Sequence, residues 1–416
     1  MTTMRGLAVL IIAILTAVSL SSCSVVSGGP TAGEIDVRTL NIGKYPVKPL
    51  DINNDAEPGM LSWSQVGSLR LGEDVATPDQ VSPGLVSNGD YHPRTFSAQS
   101  PAKDLGDSSD MQSVAQRHRL MFGFESEGYD TDTIFARYDW PYMAQNGTGL
   151  SIMVMQFGSP AEASAAATEF YEADFGRYQD QNQPAPIAKY PDTHAHWRPG
   201  TPTLRSFLAH GPYVTALLVA TPTADLTALT MLAQQAYDVQ LPKLDARNLI
   251  TDEDAVHLPL DPDHILSRTL NPYAFEMPLG SSNDQNTVVG PHTLLNYEPN
   301  FVRAKQTLDA LGVTSAAFTD SALVLRTADP NHARKAVTDH LTMAVDGSVV
   351  DVPPGVPDAT CLQYTGWAGI GSDDGFKFLC IVAYRQYVGY VASLQLTDAQ
   401  QKAAAQYALF ANSQWE

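Results

Sequence analysis

Three histidines come closest to a recognisable chemistry. In His194-Ala195-His196 the two imidazoles occupy alternate positions. If the segment is a strand they project to the same side, the spacing of a two-histidine metal grip. His210 is a third candidate, on a neighbouring strand. No fourth ligand is evident. Beside Trp197 and Arg198 at a loop edge, the pair reads more simply as hydrogen-bonded surface histidines, so no metal or other cofactor is expected. The stretch "DINNDAEPGMLS" opens like a calcium loop, with Asp51, Asn53 and Asp55 at its first, third and fifth positions. It fails where Ala56 replaces the turn glycine and Ser62 the bidentate glutamate, so it is read as acidic linker. Acid pairs such as Asp130/Asp132 and Asp261/Asp263 are read as loop residues.

Nucleophilic chemistry finds little support. Ser100-Pro101-Ala102-Lys103 has the S-x-x-K spacing of penicillin-recognising enzymes. It sits in an irregular stretch, without the S-D-N or K-T-G companions. No G-x-S-x-G elbow, H-E-x-x-H or P-loop occurs in the chain.

The most specific signal is at the N-terminus. Arg5 precedes an apolar run from Gly6 to Leu20, too short to span a hydrocarbon core comfortably but suited to an export signal. The run ends in Leu20-Ser21-Ser22-Cys23, which resembles the bacterial lipobox. That resemblance implies cleavage before Cys23, a diacylglyceryl group on its thiol, and attachment to the outer leaflet of the cell membrane by lipid, with Ser24 to Pro30 as a leash. The net charge of -20 suits an exported soluble domain and repels nucleic acid, and no cluster of Lys or Arg interleaved with aromatics offsets it.

With Cys23 lipidated, Cys361 and Cys380 remain for a disulfide in an oxidising compartment. They flank "WAGIGSDDG" between two expected strands. If that hairpin centres near Ile370, the cysteines face each other. If Asp374-Gly375 forms a tight two-residue turn, the register shifts and the sulfurs cannot meet. The bridge is the expected outcome, with two buried thiols as the alternative.

The elements that would position these residues occur twice. "LSIMVMQF" (strand), "SPAEASAAATEFYEADF" (helix), "TLRSFLAHGPYVTALLVA" (strand pair) and "TADLTALTMLAQQAYDVQL" (closing helix) are echoed later in the chain. The echo runs "ALVLRTA", "DPNHARKAVTDHLTMA", "FKFLCIVAYRQYVGYVASL" and "TDAQQKAAAQYALFANSQ". Each first helix opens with a cap residue followed by proline, Ser159-Pro160 and Asp329-Pro330. The closing helices carry apolar stripes on one side, so each should cover one face of a sheet. The fold class expected is α+β, two related units, each an antiparallel sheet covered on one face by helices, in the order strand-helix-strands-helix. The strand pairs should turn at Gly211-Pro212 and near Arg385-Gln386, although the second could instead be one long bent strand. The divisions expected are residues 1–22 signal peptide, 23–60 flexible lipid-anchored linker, 61–247 first domain and 248–416 second domain.

The segments "HGPYVTALLVATPTADLTALTMLAQQAYDVQLPKLD" and "DAQQKAAAQYALFANSQ", with the lipobox, resemble an actinobacterial family of envelope lipoproteins known only as a domain of unknown function, with distinct N-terminal and C-terminal domains. Gln240–Asp245 and "LPLDPDHILSRTL" fall where that resemblance puts the seam. The family brings no catalytic residues. Two functional classes follow. One is a non-catalytic binding or accessory module that meets an envelope protein, glycan or lipid ligand between its domains. The other is an extracytoplasmic hydrolase or metal-dependent enzyme whose site is assembled from distant residues.

Overall fold

The computed structural model describes residues 35–55, 60–88, 94–130, 147–272, 286–319, 322–343, 347–368 and 376–413. Cys23, Asp132, the hairpin loop at 369–375 and Ala56 lie outside them, as does the side chain of Ser62. Val37–Glu416 is one compact unit.

Its first half runs α1 (Met60–Gly72), β1 (Thr95–Phe96), α2 (Ser108–Arg117), β2 (Phe122–Tyr129), β3 (Gly149–Gln156), α3 (Pro160–Gly176), β4 (Gln183–Pro184), β5 (His194–Trp197), β6 (Thr203–His210), β7 (Tyr213–Ala220) and α4 (Leu226–Asp245). The second half runs β8 (Thr287–Val289), α5 (Phe301–Leu311), β9 (Ser315–Thr319), β10 (Ala322–Arg326), α6 (Pro330–Thr338), β11 (Ser348–Val350), β12 (Ala359–Ala368), β13 (Phe376–Tyr384), β14 (Tyr387–Ser393) and α7 (Leu396–Asn412).

Each half builds a seven-stranded sheet, in the orders β1-β2-β3-β7-β6-β5-β4 and β8-β9-β10-β14-β13-β12-β11. Every pairing is antiparallel, and the second order is the first with each strand seven places on. The duplicated α+β unit read from the sequence is therefore present. Both repeated caps also form. Ser159 accepts from the Glu162 amide, and Asp329 accepts from the Asn331 and His332 amides. Both strand pairs turn in two residues, with Gly211 (φ 55°) and Arg385 (φ 49°) in the left-handed region at the first loop position.

Val214, Ala216 and Leu218 share one face of the first sheet, packed with Ala163, Ala166 and Phe170 of α3. Val388 and Tyr390 occupy the equivalent face of the second, with Ala333, Ala336 and Val337 of α6. The closing helices take the opposite face in both units. Ile152, Val154, Leu217 and Val219 meet α4, whereas Tyr387 stacks on Phe410 of α7 with ring centroids 5.8 Å apart. Helices thus lie on both faces of each sheet, a second layer beyond the one-face covering expected from the stripes. The cause is legible in β3 and β7, which are buried at every position and so cannot leave one face to water.

The units also share a core. The inner face of the first sheet, α4, α5, α6 and the α6-bearing face of the second sheet form one continuous apolar cluster. Polar contacts also cross the seam. Glu73 accepts from the Thr293 amide at 2.7 Å, and Thr293 Oγ1 donates to the Leu69 carbonyl at 3.1 Å. Gln240–Asp245, which the resemblance placed at the boundary, is the last stretch of α4.

The arm before α1 is docked rather than loose over residues 37–55. Leu40, Tyr45 and Ile52 are buried. Tyr45 donates its hydroxyl hydrogen to Asp398 of α7 at 2.6 Å. Asn53 is bonded both ways to the Asp261 backbone, so the side chain at the third position of the supposed calcium loop is already engaged.

Cys361 and Cys380 face each other across β12 and β13, with Cα atoms 4.1 Å apart and the sulfurs bonded. A bridge closing a loop of this size contributes about 3 kcal/mol in the chain-entropy model. Alanine at both positions is expected to lower the denaturant midpoint accordingly, and reductant should lower the wild-type midpoint by the same amount. An unchanged midpoint under reduction, with both thiols alkylated, would show the bridge to be energetically idle.

Candidate functional site

β5 is short and lies near one edge of the first sheet, and its alternation sends His194 and His196 toward α3. Tyr171 lies between them, its ring 5.6 Å from each imidazole. His194 Nε2 is 3.3 Å from Thr168 Oγ1. His196 is buried and places Nε2 3.1 Å from Asp174 Oδ2. Arg205, directly across from His196 on β6, donates to Asp174 Oδ1 at 2.8 Å. Burial pushes the Asp174 carboxyl up, but the His196 hydrogen bond and the Arg205 charge outweigh it and hold the group below the usual carboxylate range.

His210 does not join them. It sits five residues beyond Arg205 on β6, roughly 16 Å along a strand. There it contacts Asp245 at 2.6 Å. The shared side of His194 and His196 was legible from the sequence. Their real partner, Asp174, was hidden because it comes from the end of α3, twenty residues upstream of His194. Its place in a helix end under a buried strand histidine is set only by packing.

Asp174, His196 and Arg205 line a cavity of about 430 Å³ between the end of α3 and the β5–β6 turn. Tyr178, Asn182, Trp197 and Arg198 complete its polar and aromatic wall. The turn is Arg198-Pro199-Gly200-Thr201, with Gly200 at φ 85°, the signature of a type II turn. It holds Arg198 so that its guanidinium lies 4.5 Å above the Tyr178 ring. Three nitrogens at this cavity, His196 Nδ1, Arg198 Nε and Arg205 Nε, are buried without a hydrogen-bond partner among the described residues.

The other sequence candidates have structural roles. Ser100 is in an exposed turn paired with Ser97, and no helix opens on it. Asp261 is fully buried, accepting from the Leu266 and Ser267 amides and the Ser267 hydroxyl, while Asp263 pairs with Arg326 at 3.1 Å. Among the described residues, three metal-ligating side chains converge only at Asp104, Glu125 and Glu127. Ser151 donates to Glu125 at 2.6 Å, and the buried Arg94 guanidinium lies 3.6 Å from Glu127, so two of the three carboxylates are held by partners within the protein.

Sequence reasoning missed Gln240 and Gln406. Each is fully buried on its closing helix. Gln240 accepts from the Ala76 amide at 2.8 Å and donates to the Asp74 carbonyl at 2.9 Å. Gln406 accepts from the Leu270 amide at 2.8 Å and donates to the Arg268 carbonyl at 2.7 Å. The same two-bond clamp on residues two apart thus recurs in both units. A glutamine within an otherwise apolar stripe, at Ala236-Tyr237-Gln240-Leu244 and again at Ala403-Gln406-Tyr407-Phe410, was the signal available.

No curated protein and no solved structure matches the chain. Family models do. Residues 55–260 match the N-terminal part, and residues 265–413 the C-terminal part, of a family described as a domain of unknown function, DUF7373. The break between the matches falls in "LPLDPDHILSRTL", where β8 has yet to begin. Together they take in both repeats, and the chain belongs to the DUF7373 family.

Proposed function

We propose that the protein is a lipid-anchored module of the cell envelope, of the actinobacterial lipoprotein kind, that binds a small polar ligand without transforming it. The observation that carries the binding reading is the cavity at the end of α3, where two guanidiniums and a carboxylate-held histidine line one recess and three of their nitrogens have no hydrogen-bond partner among the described residues. A hydrolase is the second reading, because a histidine held by a carboxylate is half of a general-base arrangement. Against it, the cavity lining contains no serine or cysteine, and the Thr201 hydroxyl donates to the Arg198 carbonyl at 2.6 Å.

Anchoring rests on the short apolar run and its terminal cysteine. No helix among the described residues is long and apolar enough to cross a membrane. Since only the Cys23 thiol can take the lipid, Cys23→Ser should release the protein to the medium or leave its signal peptide attached. Fractionation with intact-mass measurement reads both. Normal processing with full membrane retention in the variant would falsify the anchor.

A further inference from the structure

The cavity at the end of α3 has a charge bias opposite to that of the protein. The chain carries -20 overall, yet the lining brings two guanidiniums, Arg198 and Arg205, against one carboxylate, Asp174. Both oxygens of that carboxylate are engaged, one by His196 and one by Arg205. Of the nitrogens left over, the Nε–H of each arginine has no acceptor among the described residues, and His196 Nδ1, on a side chain only 8% exposed, is an acceptor while the neutral ring gives its Nε2–H to Asp174. A buried donor without an acceptor costs about 1–3 kcal/mol, which a bound acceptor would recover.

From these groups we infer that the cavity binds the phosphate group of a small organic phosphate. Neutral hydroxyls could accept the same hydrogen bonds but would leave the excess positive charge uncompensated. A planar carboxylate is best met by the two-pronged fork of a single guanidinium. Arg205 already spends one prong on Asp174, while Arg198, lying over Tyr178, keeps its in-plane donors. Single donors on separate side chains suit a tetrahedral oxyanion, which accepts from several directions. The 430 Å³ cavity is also larger than inorganic phosphate requires, leaving room for a glycerol- or sugar-sized remainder against Tyr178, Asn182 and Trp197. A soluble phosphate is favoured over a lipid headgroup, because the strong negative charge of the protein opposes approach to an anionic bilayer.

This inference rests on the binding reading above and names its ligand class. Calorimetric titration of the detergent-purified full-length protein with glycerol 3-phosphate should give a Kd of about 1 mM or tighter. Inorganic phosphate should bind more weakly and glucuronate not measurably. Arg198→Gln, at a half-buried loop position, should weaken glycerol 3-phosphate at least about tenfold with an unchanged melting temperature. Arg385→Gln, on the second sheet, should leave binding intact. Vesicles of phosphatidylglycerol binding in preference to glycerol 3-phosphate, with the same loss in Arg198→Gln, would move the phosphate to a lipid headgroup and overturn the soluble ligand. No heat with any phosphate, or equal affinity in Arg198→Gln and wild type, would overturn the inference. Turnover of glycerol 3-phosphate, read as released inorganic phosphate, would instead overturn the non-catalytic reading while leaving the ligand class standing.

Discussion

Gln406→Leu is expected to destabilise the protein by about 2–5 kcal/mol, and Gln240→Leu by a similar amount. Leucine is close to glutamine in size, so the loss would come from hydrogen bonding rather than from a cavity. Removing the Gln406 amide strands the Leu270 N–H and the Arg268 carbonyl, and Leu270 is fully buried. Removing Gln240 strands the Ala76 N–H and the Asp74 carbonyl, with Ala76 also fully buried. Each stranded group costs about 1–3 kcal/mol because water cannot replace the lost partner. Gly389 underlines how closely the second clamp is fitted, since a Cβ there would lie 2.5 Å from Gln406 Cγ. The two clamps belong to different units and share no partner, so the double variant should show the sum of the single losses. Urea denaturation of the three variants measures this. Single losses below about 0.5 kcal/mol would mean that the crossing segments find other partners and that the repeated clamp is not a stabilising device.

The repeat was legible because its punctuation is local. A cap followed by proline, an apolar alternation and a one-sided helix stripe each depend on a few neighbouring residues, and all recur at Ser159-Pro160 and Asp329-Pro330 and along β7 and β14. What could not be read was how the repeats meet. Apolar residues on both faces of β3 state that both faces are covered, but not that one cover is shared with the other unit. The same limit hid the cavity. His196 could be placed on a strand face from its spacing, whereas Asp174 and Arg205 reach it through helix packing and strand register. The turn at Arg385-Gln386 forms with poor turn chemistry because Tyr384 and Tyr387 are held in register by the rest of the β13–β14 ladder, which overrides the preference of one residue against positive φ.

Glu298→Gln is expected to stabilise the protein, and by an amount that grows with pH. Glu298 sits between β8 and α5, buried, and burial pushes its carboxyl from an ordinary 4.5 up to about 8. Between those values the native state holds a proton that the unfolded chain has released. The native state therefore binds more protons than the unfolded state, and stability falls as pH rises. The penalty is absent below the unfolded value, accumulates at about 1.4 kcal/mol per pH unit, and levels off above the folded value. By pH 8 it amounts to about 4 kcal/mol. Glutamine has nearly the shape of the protonated acid and does not titrate, so it avoids the penalty. Wild type and Glu298→Gln should accordingly have equal stability near pH 4 and separate steadily toward pH 8, the variant being the more stable. Tyr390 adjoins the same site. Burial, chiefly, and the nearby Glu298 carboxyl hold its phenol above the ordinary value, and its hydroxyl donates to the Leu341 carbonyl at 3.1 Å. Stability curves that stay parallel from pH 4 to pH 8 would show that Glu298 is ionised in the native state, with its charge met inside the shared core.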